Sequence, residues 1–336
     1  MFGKDEIYII AEAGVNHNGS LDMARELIDA ACQAGASAIK FQTWKTENVI
    51  TRSAPKTAYQ LEKAGNDTDL YTMLKRLELS YANFIELAEY CVACGITFLS
   101  TADEYDSAVF LNTLQDFFKI GSAELTDWPF LRKVGAFGKP VLLSTGMSDL
   151  SEISAALQVL SESGLPKNQV VVLHANTEYP TPFEDANLLA IRTIALELGV
   201  RTGYSDHTPG IEAALAAAAL GACIIEKHFT LDKKLPGPDH KASIEPAEFR
   251  KMVEGIRKIK LALGTGIKAP SPSEKKNMPL IRKSIVAKKP IRSGEIFSEE
   301  NITVKRPGLG ISPIHWDRII GQVADRNYDK DDFICF

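Results

Sequence analysis

Short apolar runs rich in Ile, Val and Phe alternate with amphipathic stretches of helical period from Glu6 almost to Gly264. The runs EIYIIAEAG, AIKFQT, ITFLSTA, FFKIGSA, PVLLST, QVVVLHAN, VRTGYSD and CIIEKHFT predict strands. Between them SLDMARELIDAACQAG, YANFIELAEYCVACG, SAVFLNTL, WPFLRKVGAFG, LSEISAALQVLSESG, FEDANLLAIRTIALELG and GIEAALAAAALG predict helices, several closing on glycine, and PAEFRKMVEGIRKIKLALG predicts an eighth. Eight successive strand-helix units fit a closed (β/α)8 TIM barrel over residues 1–265 better than an open doubly wound sheet, which usually has fewer strands.

Two stretches break the alternation. A long polar segment from Trp44 to about Asp69 exceeds a routine connection and predicts a lid or a mobile loop. After Gly264 the chain turns to Gly, Pro, Ser and Lys, which predicts a linker over 266–280. GTGIKA within it follows a helix instead of a strand, so it is not a dinucleotide fingerprint. Residues 281–336, with strand-like SIVAKKPI and NITVKRPG and the short helical HWDRIIG, predict a small second domain. Its basic residues Arg282, Lys283, Lys288, Lys289, Arg292, Lys305 and Arg306 form a solvated surface, unless one or two reach over an anion site.

Polar residues recur where the strands end. Glu12, Lys40 with Gln42, Ser100 with Thr101, Lys119 with Ser122, Ser144, His174 with Asn176, Ser205 with His207, and Glu226 with His228 all fall at or near C-terminal strand ends, the rim on which such barrels carry their sites. Burying an ionisable group without a partner costs several kcal/mol or changes its protonation state, so Glu226, Lys227 and His228 in succession imply a ligand, a metal or one another. Side chains alternate along a strand, placing Ser205 and His207 on one face and Glu226 and His228 on one face. Two imidazoles on neighbouring strands suit an exchangeable divalent ion, with open positions for water and substrate oxygens.

Lys40 and Lys119 point at the same mouth, near Thr101, Ser122 and Ser144, and an ammonium ringed by hydroxyls makes a phosphate site. A Schiff-base lysine, as in barrel aldolases, is the rival reading of the same residues. Glu12 can move a proton to or from a carbonyl, or form a salt bridge with a neighbouring lysine. Asp239 and His240, in a Gly-Pro loop after the last strand, are placed to grip a polar substrate, and Trp44 and Trp128 read as packing residues.

A net charge of -5 argues against broad nucleic-acid binding but not against an anionic small substrate. No apolar run is long enough for a membrane span and no signal peptide is evident, so the expected compartment is cytoplasmic. Five scattered cysteines do not resemble a disulfide framework, and the Cys91 and Cys94 pair reads as helix-end packing in preference to zinc or redox chemistry.

AEAGVNHNGS, KFQT, FKIGSAE, LSTGM, HANTEYPTPFED, YSDHTPG, IEKHFTLD, GPDHKASIEP, RKSIVAKK and VKRPGLGIS resemble, in order and over nearly the whole chain, the motifs of the bacterial sialic acid synthases. The resemblance implies condensation of phosphoenolpyruvate with an N-acetylated aminosugar, in a barrel joined to a small antifreeze-like (SAF) domain within a domain-swapped homodimer. It implies that His207 and His228 bind manganese, with magnesium or cobalt as alternatives, and that Glu12 is the catalytic carboxylate. Lys40, Thr101, Lys119, Ser122, Ser144, Ser205 and Asn176 or Thr177 would then hold phosphoenolpyruvate. Gln42, Tyr179 and Asp239 would hold the aminosugar, with Arg306 offered to its N-acetyl group by the partner subunit. The expected sugar is N-acetylmannosamine, giving N-acetylneuraminate; the alternative is a 6-deoxy diamino analogue giving N,N'-diacetyllegionaminate. Ala102 and Asp103 stand where many members carry proline and phenylalanine.

Overall fold

The computed structural model describes residues 6–56 and 69–335. It divides into two compact units, Met1–Gly264 and Thr265–Phe336. In the first unit, β1 (Tyr8–Gly14), α1 (Leu21–Ala34), β2 (Ala38–Thr43), α2 (Thr46–Val49), α3 (Leu70–Leu77), α4 (Tyr81–Cys94), β3 (Thr97–Ala102), α5 (Tyr105–Leu111), β4 (Phe118–Ile120) and α6 (Trp128–Gly135) follow in order. They are succeeded by β5 (Val141–Ser144), α7 (Leu150–Glu162), β6 (Val170–Ala175), α8 (Ala190–Leu198), β7 (Arg201–Asp206), α9 (Glu212–Ala219), β8 (Ile224–His228) and α10 (Pro246–Leu263). Each strand pairs with the next, and β8 pairs with β1 in parallel from Tyr8↔Ile224 to Glu12↔His228, so the sheet closes as a TIM barrel. Among the described residues, no helix is long and apolar enough to cross a membrane.

Alternation along the strands sorts the core into two bodies. Outward residues such as Ile9, Ala11, Ile39, Phe41, Phe118, Leu143 and Ile225 pack beneath the helices, while Ile10, Ala38, Leu99, Phe117, Leu142, Val171, Leu173 and Ile224 form a separate interior cluster. Two residues further along most strands, the interior changes character. Ile10 gives way to Glu12, Ala38 to Lys40, Leu99 to Thr101, Phe117 to Lys119, Leu142 to Ser144, Gly203 to Ser205 and Ile224 to Glu226. The lower barrel is a dry plug, and the ionised layer rests on it.

Gly203 shows how tightly the plug is filled. A Cβ there would meet Leu173 Cδ2 at 2.5 Å and the backbone oxygen of Ile224 at 2.8 Å. Gly203→Ala is therefore expected to cost about 1–3 kcal/mol, because the backbone contact cannot rotate away. Thermal melting should show a loss of roughly 3–10 °C, and an unchanged melting point would refute the close packing.

Local chemistry explains where helices start and stop. Ser20 and Ser80 cap α1 and α4, Asp149 with Glu152 forms a capping box on α7, and Gly35, Gly95 and Gly199 end their helices in the left-handed region. The helix expected over 183–199 is instead a 3-10 turn, Phe183–Asp185, followed by α8, because Asn187 at φ 40° interrupts it. The one expected over 107–114 starts earlier, at Tyr105, because the Glu104 carboxylate accepts from the amides of Asp106 and Ser107 and caps it.

Part of the 44–69 segment, residues 57–68, lies outside the described residues. Its flanks carry α2 and lead into α3, and Trp44, Val15, Leu70, Met73 and Leu77 form a small core of their own. Trp44 is thus a packing residue as expected, whereas Trp128, at the start of α6, is 46% exposed. The Cys91 thiol is buried in α4, the Cys94 thiol lies 3.5 Å from Asp29 Oδ1, and no cysteine is in a disulfide among the described residues.

In the second unit, α11 (Pro272–Ile281) forms within the expected linker, started by a capping box of Ser271 and Glu274. The stretch β9 (Ser284–Ala287), β10 (Ile302–Lys305) and α12 (Trp316–Ile319) follows, with the two strands antiparallel. Ile285, Ala287, Ile291, Phe297, Ile302, Ile319, Ala324, Tyr328 and Ile334 make its separate core. Arg306 is exposed just beyond β10.

Candidate active site at the barrel mouth

The ionised layer is a linked cluster. Lys40 Nζ lies 2.8 Å from Glu12 Oε2 and 3.8 Å from Glu226 Oε1, and donates to Thr101 Oγ1 at 3.0 Å. Lys119 Nζ donates to Glu226 Oε1 at 3.2 Å, and the Ser205 hydroxyl donates to the same oxygen at 2.8 Å. Gln42 Nε2 donates to Glu12 Oε1 at 3.1 Å. Two buried ammonium groups are thus matched by two buried carboxylates.

Burial and charge pull these groups in different directions. Burial pushes the Glu12 carboxyl up to about 7, outweighing the opposing pull of Lys40, so it can carry a proton near neutral pH. For Glu226, burial would do the same, but Lys119 and Lys40 together hold it down to about 2. Burial lowers Lys119 against the pull of Glu226; burial acts on Lys40 too, yet Glu12 and Glu226 outweigh it and raise Lys40. The sequence placed Glu226 on the rim without assigning it to catalysis or to a ligand. Its place on the inward face two residues before His228 was the available signal.

A second corner lies beside β5. Ser122 and Ser144 hydroxyls are 3.1 Å apart, and the Gly146 amide donates to Ser122 Oγ at 2.9 Å. A Cβ on Gly146 would meet Thr177 Cγ2 at 2.6 Å, which puts Thr177 in this corner. Asn176 does otherwise: its side-chain oxygen accepts from the Glu178 amide at 2.8 Å, and its carbonyl accepts from His207 Nδ1.

His207 and His228 face each other with ring centroids 5.3 Å apart. Tyr179 stands over both, 4.2 Å from the first ring and 5.4 Å from the second. Burial holds His207 down to about 4 and His228 well below the usual imidazole value, so both are neutral at physiological pH, the form that binds metals. With its Nδ1 proton given to Asn176, His207 is left with the Nε2 lone pair. His228 Nδ1 is buried without a hydrogen-bond partner among the described residues, and Asp239 Oδ2 stands 3.9 Å from it. This donor set fits a divalent ion held by two imidazoles. Among the described residues no group of three or more His, Cys, Asp or Glu is arranged for one, so further ligands would be water and substrate oxygens.

Above the histidines is a small cavity of about 120 Å³. It is lined by the polar Gln42, Tyr179, His228 and Asp239 together with Val15, Met73, Leu74, Leu77 and Pro238. Met73, Leu74 and Leu77 come from α3, a helix that the sequence did not predict. Asp103, also unassigned before, borders the cluster. Burial and the nearby Glu124 raise its carboxyl well above the usual range, against the pull of Lys40.

Comparison with known proteins covers most of the chain. The NeuB family model matches residues 27–268, and the SAF domain model matches residues 282–334. An N,N'-diacetyllegionaminic acid synthase of Campylobacter jejuni is 48% identical over 97% of this chain and 98% of its own length. A protein of the same name from Legionella pneumophila is 41% identical over 95% of this chain and 91% of its own. The crystal structure of an N-acetylneuraminic acid (sialic acid) synthetase from Leptospira borgpetersenii, in complex with citrate, superposes with a TM-score of 0.72 at 34% identity, covering 82% of this chain and 91% of that one.

Proposed function

This chain belongs to the NeuB family of carbon-carbon bond-forming, phosphoenolpyruvate-dependent nonulosonate synthases, and from that membership we propose that it makes N,N'-diacetyllegionaminate from a 6-deoxy sugar bearing two acetamido groups. The names of the relatives carry the choice of sugar, and Val15, Met73, Leu74, Leu77 and Pro238 among the cavity's lining residues are compatible with it. A methyl group and an acetamido methyl gain from contact with such side chains, whereas the hydroxymethyl of N-acetylmannosamine gains nothing from them. The relatives named for this product support the same choice, so N-acetylneuraminate, the reading favoured by the sequence alone, becomes the second one.

In this proposal Lys119, Ser122, Ser144, the Gly146 amide and Thr177 hold the phosphate of phosphoenolpyruvate, with Lys40, Thr101 and Ser205 around its carboxylate end. Gln42, Tyr179 and Asp239 orient the open-chain sugar so that its aldehyde carbon faces the enol carbon. Holding two reactants in line in this way contributes roughly 7–11 kcal/mol. A divalent ion held by His207 and His228, manganese being the expected one, would supply Lewis-acid polarisation of the aldehyde oxygen. As the new bond forms, Glu12, poised near neutral pH, gives a proton to the developing hydroxyl and takes one from the water that captures the cationic carbon. Glu226, held ionised, steadies that carbon until water adds; the tetrahedral adduct then breaks its bond to the phosphate oxygen, its hydroxyl proton leaving with the phosphate as the ketone forms. Both lysines are ion-paired ammonium donors, which favours this scheme over a Schiff-base aldolase. Arg306 is assigned to the acetamido group of a sugar bound by the partner subunit of a homodimer.

Offering both sugars with phosphoenolpyruvate and manganese, and identifying the acids by mass, tests the assignment. Apolar contacts discriminate weakly against an added hydroxyl, so the expected preference in kcat/KM is about 10- to 100-fold for the 6-deoxy sugar. Equal or better use of N-acetylmannosamine would restore the N-acetylneuraminate reading.

A further inference from the structure

Asp206 and Lys227 immediately precede the two histidines and face the other side of the sheet. They are register partners across β7 and β8, so their rung directly precedes the two imidazoles. Both side chains are 0% exposed. Lys227 Nζ lies 2.8 Å from Asp206 Oδ2 and donates to the Thr208 carbonyl. Asp206 Oδ1 accepts from the Thr208 amide at 2.9 Å and its hydroxyl at 2.8 Å, and Tyr204 also bonds this carboxylate. One ion pair therefore ties strand to strand and fixes the backbone on both sides of His207.

A fully buried pair of this kind is a poor source of stability, because desolvating the two ions offsets their attraction, and apolar replacements of similar volume are often tolerated. What it does supply is a fixed rung. Outer partners of this sort orient metal ligands. We infer that Asp206 and Lys227 are a positioning pair that sets the spacing and aim of His207 and His228, so that the pair governs metal affinity more than barrel stability. The inference rests on the reading that the two histidines hold a divalent ion.

The test uses the full chain, stripped with chelator, with bound manganese counted from the paramagnetic resonance of the free ion. Asp206→Asn combined with Lys227→Met removes both charges and is expected to melt within a few degrees of the parent while losing about 10- to 100-fold in manganese affinity. Phosphoenolpyruvate affinity measured without metal should change less than threefold, which a general loosening of the barrel would not allow. Manganese affinity within twofold of the parent, in a folded variant, overturns the inference. If the double variant does not fold, Lys227→Arg carries the test: it keeps the charge but reshapes the rung, and should still weaken manganese binding at least threefold, an unchanged affinity again being decisive against it. His207→Ala and His228→Ala separate the two ideas. If they bind manganese as the parent does, or the parent binds none, the metal reading falls; if they lose it while the pair variants keep it, only the positioning role falls.

Discussion

Glu12→Gln is expected to lower turnover by about 10²–10⁴-fold while leaving phosphoenolpyruvate affinity within about threefold. The amide keeps the side chain's volume and can still bond Gln42, but it cannot release and recover a proton. In the parent, burial holds this carboxyl near 7, against Lys40 only 2.8 Å away, so both protonation states are populated in the working range. Single-turnover kinetics on substrate-saturated enzyme would isolate the step. Turnover within fivefold of the parent would remove Glu12 from proton transfer and leave it as the counterion of Lys40.

The second large effect is on folding. Glu226 is the one carboxylate within 4 Å of both interior ammonium groups among the ion pairs described, at 3.2 Å from Lys119 and 3.8 Å from Lys40. Removing one partner of a buried pair leaves a charge uncompensated and costs about 3–5 kcal/mol. Glu226→Ala should therefore melt about 10 °C below the parent, with Glu226→Gln in between. Millimolar phosphate should recover more of the melting point for the alanine variant than for the parent, since an anion binding the folded state replaces the missing charge. A variant melting within 2 °C of the parent would show that the lysines lose their charge or find water instead.

The barrel was legible in the sequence because its interior obeys a simple rule. Every strand had to alternate, and the inward series Ile10, Glu12 and Ile224, Glu226, His228 can be counted without coordinates. Partnerships across the barrel were not legible, since β4 and β8 are far apart in the chain and only closure brings Lys119 to Glu226. Counting stops short of Asn176 and Thr177, because β6 ends at Ala175, and only the folded chain brings Thr177 beside Gly146. The helix α3 escaped notice because polar sequence precedes it and only one face, Leu70, Met73 and Leu77, is buried. The break at Asn187 depended on a backbone conformation that asparagine tolerates but does not announce.

The small core around Trp44 means that part of the lining of the proposed sugar cavity, Val15, Met73 and Leu77, is supported from outside the barrel. In the proposed scheme, part of the sugar contact is therefore borne by material packed outside the barrel. A related chain's equivalent of α3 and its Trp44 anchor, exchanged as one cassette, would retailor which sugar is accepted while the proton and phosphate machinery stayed as it is.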